Sequence, residues 1–215
     1  MPKLTFCFDE EKDLWNNWTT VKSGWPSPES IIRICNDKDF EECKEELRKF
    51  YKKFYKSPLI KETKNSFRSS WNKINNEFFR RLEKITGNKF PFDNVTVYLT
   101  TQLRCPYDFE EGSFMVSIFS NLPSALKTAG HELMHLDFHV NNWDKISKQI
   151  GNEKTSALKE ALTILLNLEF RDLWFVRDKG RKSDSQQILR RFIEKEWIKE
   201  KNYNLLLEKC VDFLK

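Results

Sequence analysis

All three histidines of this 215-residue chain fall within one short stretch. His131 and His135 lie four positions apart, and Glu132 follows the first of them, so the stretch matches the pattern H-E-x-x-H. On an α-helix, residues four apart lie one above the other, about 40° round and roughly 6 Å along the axis, so both imidazoles can reach one metal ion. Glu132 lies about 100° round from His131, where a carboxylate can take a proton from a metal-bound water. These residues predict a zinc site with a general base.

A five-letter pattern also arises by accident, and two helical histidines can be ordinary surface or core residues. The confinement of every histidine to this stretch favours zinc binding over coincidence. A helical interaction protein with an accidental motif stays open as an alternative. One zinc ion (Zn2+) per chain is the predicted cofactor, although two histidines and a carboxylate also suit Mn²⁺, Co²⁺ or Fe²⁺.

A catalytic zinc has three protein ligands and an open position for water, so the motif requires a third ligand. His139 is too far along the helix from His131, roughly 12 Å, for one ion to bridge them unless the helix breaks. Glu160 lies among apolar residues of the next predicted helix, where a carboxylate needs a partner. Glu160 is therefore the predicted third ligand. The weaker candidates are Glu153, Glu169 and His139.

Hydrophobic spacing predicts the elements that must position these residues. Alternation predicts a short strand over Leu4–Phe8, and strands over Val95–Leu99 and Phe114–Phe119 that are expected to form an antiparallel pair. Asp9 is expected to cap a helix that runs to about Val21. Helical spacing also predicts helices within 40–54, 67–85, 186–199 and 203–214, with Pro28 starting a further one and Gly87 ending the one over 67–85.

The motif helix is expected to run from about Pro123 to Val140, with Asn121 as a fair N-cap and Ser124 as the alternative. Residues 141–151 are expected to form a connector with a short turn of helix. A long helix from about Thr155 to Phe175 follows, and then a polar segment. Gly130 inside the motif helix costs about 1 kcal/mol against alanine, which suggests that another backbone passes close to the metal.

The predicted fold class is α+β and mostly helical, with a small antiparallel sheet packed on the motif helix and additional N- and C-terminal helices. A single domain over 1–215 is expected, because no repeat or long linker divides the chain. Residues 1–90 are mainly helical, 91–176 hold the strands, the motif helix and the Glu160 helix, and 177–215 form C-terminal helices. Hydrophobic residues at 39% and aromatic residues at 14% suffice for a core and argue against a disordered chain.

Composition also limits the partners. Charged residues make up 32% of the chain, but the net charge is only +5 and no nucleic-acid-binding motif occurs, so a nucleic-acid partner is not expected. The five cysteines include no C-x-x-C pair, and no secretory h-region or ~18-residue apolar run occurs. The chain is therefore expected to be soluble and cytoplasmic, without a membrane partner, and its oligomeric state stays open.

The order of elements along the chain resembles that of the gluzincins. Two strands come first, then a helix with H-E-x-x-H, and then a further helix that bears a glutamate 25 positions after His135. These are the thermolysin-like branch of the zincin metallopeptidases, and the resemblance covers about 95–175. It implies a zincin-like fold in which His131, His135 and Glu160 bind zinc and Glu132 is the general base. It also implies that Phe114–Phe119 is an edge strand that pairs with an extended peptide.

The implied activity is zinc-dependent hydrolysis of peptide bonds in a peptide or protein substrate. The alternative is a catalytically inactive zincin-like module that binds metal and acts in regulation or interaction. Two departures from the family pattern favour the alternative somewhat. Ile164 stands where many thermolysin-like enzymes place an Asp that orients the first histidine, which leaves Thr163 or another residue for that role. The family usually supplies a Tyr or His for the oxyanion, and here Tyr107, Tyr203 or an arginine would have to serve.

Overall fold

The computed structural model describes residues 1–215, which form nine helices and four strands. The strands are β1 (Lys3–Phe8), β2 (Asn94–Thr100), β3 (Tyr107–Asp108) and β4 (Ser113–Ser117). The helices are α1 (Glu10–Lys22), α2 (Glu29–Cys35), α3 (Phe40–Tyr55), α4 (Pro58–Thr86), α5 (Leu122–Leu162), α6 (Ile164–Glu169), α7 (Arg171–Trp174), α8 (Asp184–Lys199) and α9 (Tyr203–Leu214). The prediction of a mostly helical α+β fold is confirmed.

The four strands form one mixed sheet in the order β1-β2-β4-β3. β1 runs parallel to β2, with Leu4 opposite Val95, and β2 runs parallel to β4, with Val97 opposite Phe114. Only β3 is antiparallel, and it pairs with β4. The expected antiparallel pairing of 95–99 with 114–119 is therefore wrong. The segment between β2 and β4 is long enough to carry the chain back to a parallel start, and it forms β3 on the way.

One face of the sheet is covered by α4 and α5. Val95, Val97 and Leu99 alternate with more exposed residues along β2 and are fully buried on that face. They belong to a core of 36 buried residues that extends through α4 and α5 to the C-terminal helices. The strand alternation in the sequence therefore identifies the face on which the motif helix packs.

Another, smaller core joins α1, α2 and α3 and includes Leu14, Ile31 and Leu47. Asp9 caps α1 by accepting a hydrogen bond from the backbone N–H of Lys12, which confirms the predicted helix start. Gly87 ends α4 in the left-handed conformation, also as expected. Whether these parts make up a single domain stays a prediction.

The motif helix is longer than expected. α5 begins after its N-cap Asn121 and stays helical as far as Gly151, so the connector predicted over 141–151 is wrong. Ile146 is buried and Trp143 and Ile150 pack against the core, which continues the helical spacing. At Gly151 the backbone turns, with φ 79°, ψ 163°, and a second helical arm runs over 152–162.

The helix predicted from 155 to 175 is also interrupted. The second arm of α5 ends at Leu162, and the short helices α6 and α7 follow it. No helix in the chain combines the length and the apolar character needed to cross a bilayer. The helices α8 and α9 then pack on α5 and complete the core, in agreement with the predicted C-terminal helices.

Candidate metal centre

The two arms of α5 bring together the three residues predicted to bind zinc. His131 and His135 lie on one face of the first arm, with ring centroids 4.3 Å apart. Glu160 lies on the second arm, with carboxylate oxygens 3.8 Å from His131 Nε2 and 3.4 Å from His135 Nε2. One ligand atom from each residue lies within 4.8 Å of the other two. Three such atoms can converge on one ion after small side-chain adjustments, because zinc–ligand distances are about 2.0–2.2 Å.

The turn at Gly151 is what places Glu160 opposite the histidines. A φ of 79° lies in the left-handed region, which glycine adopts without the penalty that a Cβ imposes. The second arm then starts with a hydrogen bond from Thr155 Oγ1 to the Gly151 carbonyl, at 2.8 Å. The chain therefore folds back on itself within a single connection, and a glutamate 25 positions from His135 returns to it.

His135 is the residue whose surroundings most require a ligand. It is almost fully buried, and neither Nδ1 nor Nε2 has a hydrogen-bond partner. Burial, together with the neighbouring His131, lowers the pKa of His135 to about 3, so the ring is neutral and keeps a lone pair. A buried polar group without a partner costs about 1–3 kcal/mol. The donor set of two imidazoles and a carboxylate therefore fits a zinc ion, which would satisfy that nitrogen.

His131 is oriented by Asp178, a residue that no sequence pattern points to. The Asp178 carboxylate lies 2.9 Å from His131 Nδ1, which assigns the proton to Nδ1 and leaves Nε2 directed at Glu160. Thr163 Oγ1 donates to the other carboxylate oxygen at 3.0 Å. Burial opposes ionisation, but the hydrogen bond from His131 and the charge of Arg190 hold the pKa of Asp178 well below its usual range.

The sequence predicts that Thr163 or another residue orients the first histidine, and in the structure that residue is Asp178. Thr163 does not reach His131, and it holds Asp178, which does. Asp178 lies 47 positions after His131 in an irregular segment beside Gly180, where an aspartate is typical of a turn. Its only sequence signal is its place in a polar segment after a helix, which does not distinguish it from its neighbours.

Glu132 is buried beside the cluster of His131, His135 and Glu160. Burial, opposed by His131 and assisted by the nearby Glu160 carboxylate, raises the pKa of its carboxyl to about 7. A carboxyl that titrates near neutral pH can both take and return a proton. The burial of Glu160 works against its charge, but the neighbouring His135 and the charge of Lys159 hold its pKa well below the usual value.

The weaker candidates for the third ligand lie elsewhere. His139 stacks between Phe109 and Trp143, with centroids 3.8 Å and 4.6 Å away, and its Nδ1 contacts the Tyr107 hydroxyl at 3.1 Å. Glu153 is exposed. Glu169 bonds Trp197 and Lys201 on another part of the surface. None of these three belongs to the cluster.

The two tyrosines considered for oxyanion stabilisation are placed differently. Tyr107 lies beside the cluster, with its ring centroid 5.6 Å from that of His135. Tyr203 is buried, and burial together with the charge of Asp137 raises its pKa. The small residue before His131 is explained by packing. A Cβ on Gly130 would lie 2.7 Å from the Trp174 ring, so a side chain and not a backbone passes there.

The strand implied for 114–119 ends at Ser117, and only the first part of its outer edge is paired. The outer side of β4 is occupied by β3, with Tyr107 opposite Phe114, and the backbone N–H of Met115 donates to Pro106 O at 2.9 Å. β3 therefore covers the edge of β4 from Ser113 to Met115, and pairing of an extended peptide with the rest of this edge stays a prediction.

Comparison of the chain with known family models, curated proteins and solved structures finds no match to any of them. The case for a function therefore rests on the geometry of this cluster.

Proposed function

We propose that the chain is a zinc-dependent metallopeptidase that uses His131, His135 and Glu160 as ligands and Glu132 as general base. The observation that carries the proposal is the buried, neutral His135, whose two ring nitrogens lack partners beside two further ligand residues. An ordinary core histidine would have its nitrogens hydrogen-bonded. The support of His131 by Asp178 is the arrangement that typically orients a metal-binding imidazole.

When bound, zinc would lower the pKa of a water toward ~7 and polarise the scissile carbonyl. The protein's own side chains supply the proton transfer and the positioning that amide hydrolysis also requires. Glu132 takes the proton of the attacking water and passes it to the nitrogen of the leaving amine. Asp178 keeps the Nε2 lone pair of His131 directed at the ligand cluster. The substrate is a peptide or a protein, as the resemblance to gluzincins implies.

The decisive variant is Glu132→Gln in the zinc-loaded full chain. The assay is the hydrolysis of a pool of fluorescence-quenched peptides with randomised central residues. We expect turnover by the wild type and a loss of about 10²–10⁴-fold in the variant, since a general base contributes that much. Both proteins should hold one zinc per chain. Glu153→Gln, an exposed glutamate on the same helix, is the matched control and should retain full activity.

Retained hydrolysis in Glu132→Gln would contradict the mechanism. A wild type that holds zinc but cleaves no peptide would instead support the second candidate, an inactive metal-binding module. One observation favours this candidate: the guanidinium of Arg181 lies 3.1 Å from Glu160 Oε1, at the mouth of the cluster. A cavity of about 460 Å³ reaches Tyr107 but is lined by none of the three ligand residues.

A further inference from the structure

Lys159 is a buried lysine that lies directly beside the ligand cluster. Only 6% of the residue is exposed, and its Nζ lies 3.4 Å from Glu160 Oε1. The same Nζ donates to the Tyr107 hydroxyl at 3.1 Å and lies 4.5 Å from the centroid of that ring. Lysine is almost never fully buried unless it is paired with an anion, so the partner of this ammonium has to be identified.

The one carboxylate within reach of Lys159 is already shared. Glu160 Oε1 also lies 3.4 Å from His135 Nε2 and 3.1 Å from Arg181, and the proposed function assigns this carboxylate to zinc. A glutamate bound to a dication can still accept a hydrogen bond, but the metal offsets its negative charge, so it neutralises the lysine less. Lys159 is then left with a neutral phenol and a positive charge directed at the cluster. A buried cation in this state favours any negative charge that develops beside it.

Tyr107, the tyrosine nearest the cluster, has no free proton to give. An ammonium can only donate, so the Tyr107 oxygen accepts from Lys159, and we assign the single phenol proton to the bond with His139 Nδ1. Lys159 has three protons and uses one of them on Tyr107. Two cations with unused N–H groups therefore lie at this side of the cluster, the exposed Arg181 and Lys159, and only Lys159 is buried.

We propose that Lys159 is the catalytic residue that stabilises the oxyanion of peptide hydrolysis, a role that rests on the proposed function. As the water oxygen bonds to the carbonyl carbon, the electron pair of the C=O π bond moves to the carbonyl oxygen. The Lys159 ammonium donates a hydrogen bond to that oxygen. When the C–N bond breaks, the pair returns to restore the carbonyl, and the amine leaves with the proton that Glu132 took from the water.

Tyr107 and His139 are positioning residues in this arrangement. His139 is fixed between the rings of Phe109 and Trp143, which are nearly parallel to it at 13° and 2°. It holds the Tyr107 hydroxyl, and the hydroxyl holds Lys159 Nζ. The third histidine of the chain thus acts on the reaction only through Tyr107 and Lys159.

The test compares Lys159→Met with Lys148→Met, which removes an exposed lysine from the same helix. Zinc content, circular dichroism, and kcat and KM on a quenched peptide from the cleaved pool are measured for each protein. We expect Lys159→Met to keep its fold and one zinc per chain and to lose about 10²–10³-fold in kcat, with KM within threefold, since removing one oxyanion donor has that effect. Lys159→Arg, which keeps the charge and the N–H donors, should retain more than a tenth of kcat.

Calorimetry with N-phosphoryl-Leu-Phe gives a readout that does not depend on turnover. Its tetrahedral phosphoryl oxygens mimic the oxyanion. Zinc-loaded wild type and Lys148→Met should bind it equally, and Lys159→Met should bind it at least 30-fold more weakly, following the loss in kcat. Equal binding by all three proteins would overturn the oxyanion role.

The positioning chain is tested with His139→Phe, which keeps the stacked ring but removes the bond to Tyr107. In the protein that keeps Lys159, we expect His139→Phe to lower kcat about three- to tenfold at constant KM. Combined with Lys159→Met, His139→Phe should cause no further fall in kcat. A purely structural effect would be the same in both backgrounds, because independent effects multiply.

The other outcomes are separable. A rise in KM with unchanged kcat in Lys159→Met would show that the lysine binds an anionic group of the substrate, and would overturn the proposal while leaving the peptidase function intact. Loss of zinc from Lys159→Met would assign the lysine to the ligand set and would also overturn it. Wild type that holds zinc but neither cleaves the peptide pool nor binds the phosphoryl peptide would remove the proposed function and the oxyanion role with it.

Discussion

Two clusters of buried polar side chains in this protein differ in how completely their hydrogen bonds are made. Asp13, between α1 and the end of β2, accepts hydrogen bonds from Thr100 Oγ1 at 2.7 Å, Thr101 N at 2.6 Å and Tyr55 OH at 2.7 Å. At the candidate metal centre, His135 is equally buried but makes no hydrogen bond. Both clusters are rich in groups that could do chemistry, but only the second contains a buried side chain without hydrogen-bond partners.

The completed cluster is structural. The amide of Asn17 beside Asp13 donates to Thr101 Oγ1 and accepts from Tyr51 OH and Gln102 Nε2, so the network closes on itself. Such a network fixes α1 and α3 against the sheet. The incomplete cluster is better explained by a ligand that the chain alone does not provide. The comparison teaches that two clusters of similar residue types can differ in whether their hydrogen bonds are complete, and the proposed metal site is the incomplete one.

The largest effect on stability is expected from Asp13→Ala. The change removes the acceptor of the three donors named above and of Thr101 Oγ1, and should lower the free energy of unfolding by about 3–5 kcal/mol, as the loss of one partner in a buried network does. Urea denaturation of the metal-free chain measures it, and Asp212→Ala, on the exposed surface of α9, is the control. The zinc content of the folded protein should not change. A loss under about 1 kcal/mol, the net value of one ordinary hydrogen bond, would show that the network is not structural.

The next effect concerns Asp178→Asn, which keeps the shape of the side chain but removes its charge. We expect zinc affinity to fall about 10–100-fold, because the partner of a metal-binding histidine typically contributes that much. Competition with a chromogenic chelator measures it. Asp184→Asn, an exposed residue in the first turn of α8, is the control. Equal affinities in the two variants would remove Asp178 from the site.

The pH dependence of stability should separate the clusters as well. The pKa of His135 is about 3 in the folded chain against an ordinary value of 6.5. Below pH 6.5 the unfolded chain therefore takes up a proton that the folded chain refuses, and stability falls as the pH falls toward 3. The slope from this residue is up to about 1.4 kcal/mol per pH unit. The free energy of unfolding is measured for metal-free wild type and His135→Leu between about pH 6 and pH 4.5. Its dependence on pH should be steeper in the wild type by up to that slope, and parallel curves would contradict the prediction.

The smallest effect is expected from His135→Leu at about pH 7.5 without metal. Replacing a buried ring that has no hydrogen bonds by an apolar side chain should leave the free energy of unfolding unchanged or raise it by up to about 1 kcal/mol. The same denaturation assay is used, so that the change in the free energy of unfolding can be compared directly with that of Asp13→Ala. A loss of more than about 2 kcal/mol, as from a disrupted core contact, would mean that His135 supports the fold through contacts other than metal.

Local patterns in the sequence predict the elements well and their connections poorly. Asp9 and Gly87 identify helix ends because capping depends on adjacent residues, and the alternation from Val95 to Leu99 identifies a strand in the same way. The direction of β4 against β2 does not follow from either strand, because it depends on the path of the segment between them. Gly151 resembles the end of a loop in the sequence, although it is a single left-handed residue between two helical arms.

The residues of the candidate site likewise fall into those that local sequence patterns predict and those that depend on the path of the chain. His131, Glu132 and His135 follow from helical spacing, and Glu160 is identifiable because a carboxylate among apolar residues needs a partner. Asp178 and Lys159 cannot be found in this way. Asp178 reaches His131 from an irregular segment 47 positions away, and Lys159 resembles the many other helical lysines until its burial is known.

The measurement that tests the central claim most directly is the zinc content of wild type, Glu160→Gln and Glu153→Gln, each purified without added metal and then reconstituted. The two glutamates lie on the same arm of α5, but only Glu160 faces the histidines. The account predicts one zinc per chain in wild type and in Glu153→Gln, and little or none in Glu160→Gln. Equal zinc in all three proteins, or none in reconstituted wild type, would contradict a metal centre formed by His131, His135 and Glu160.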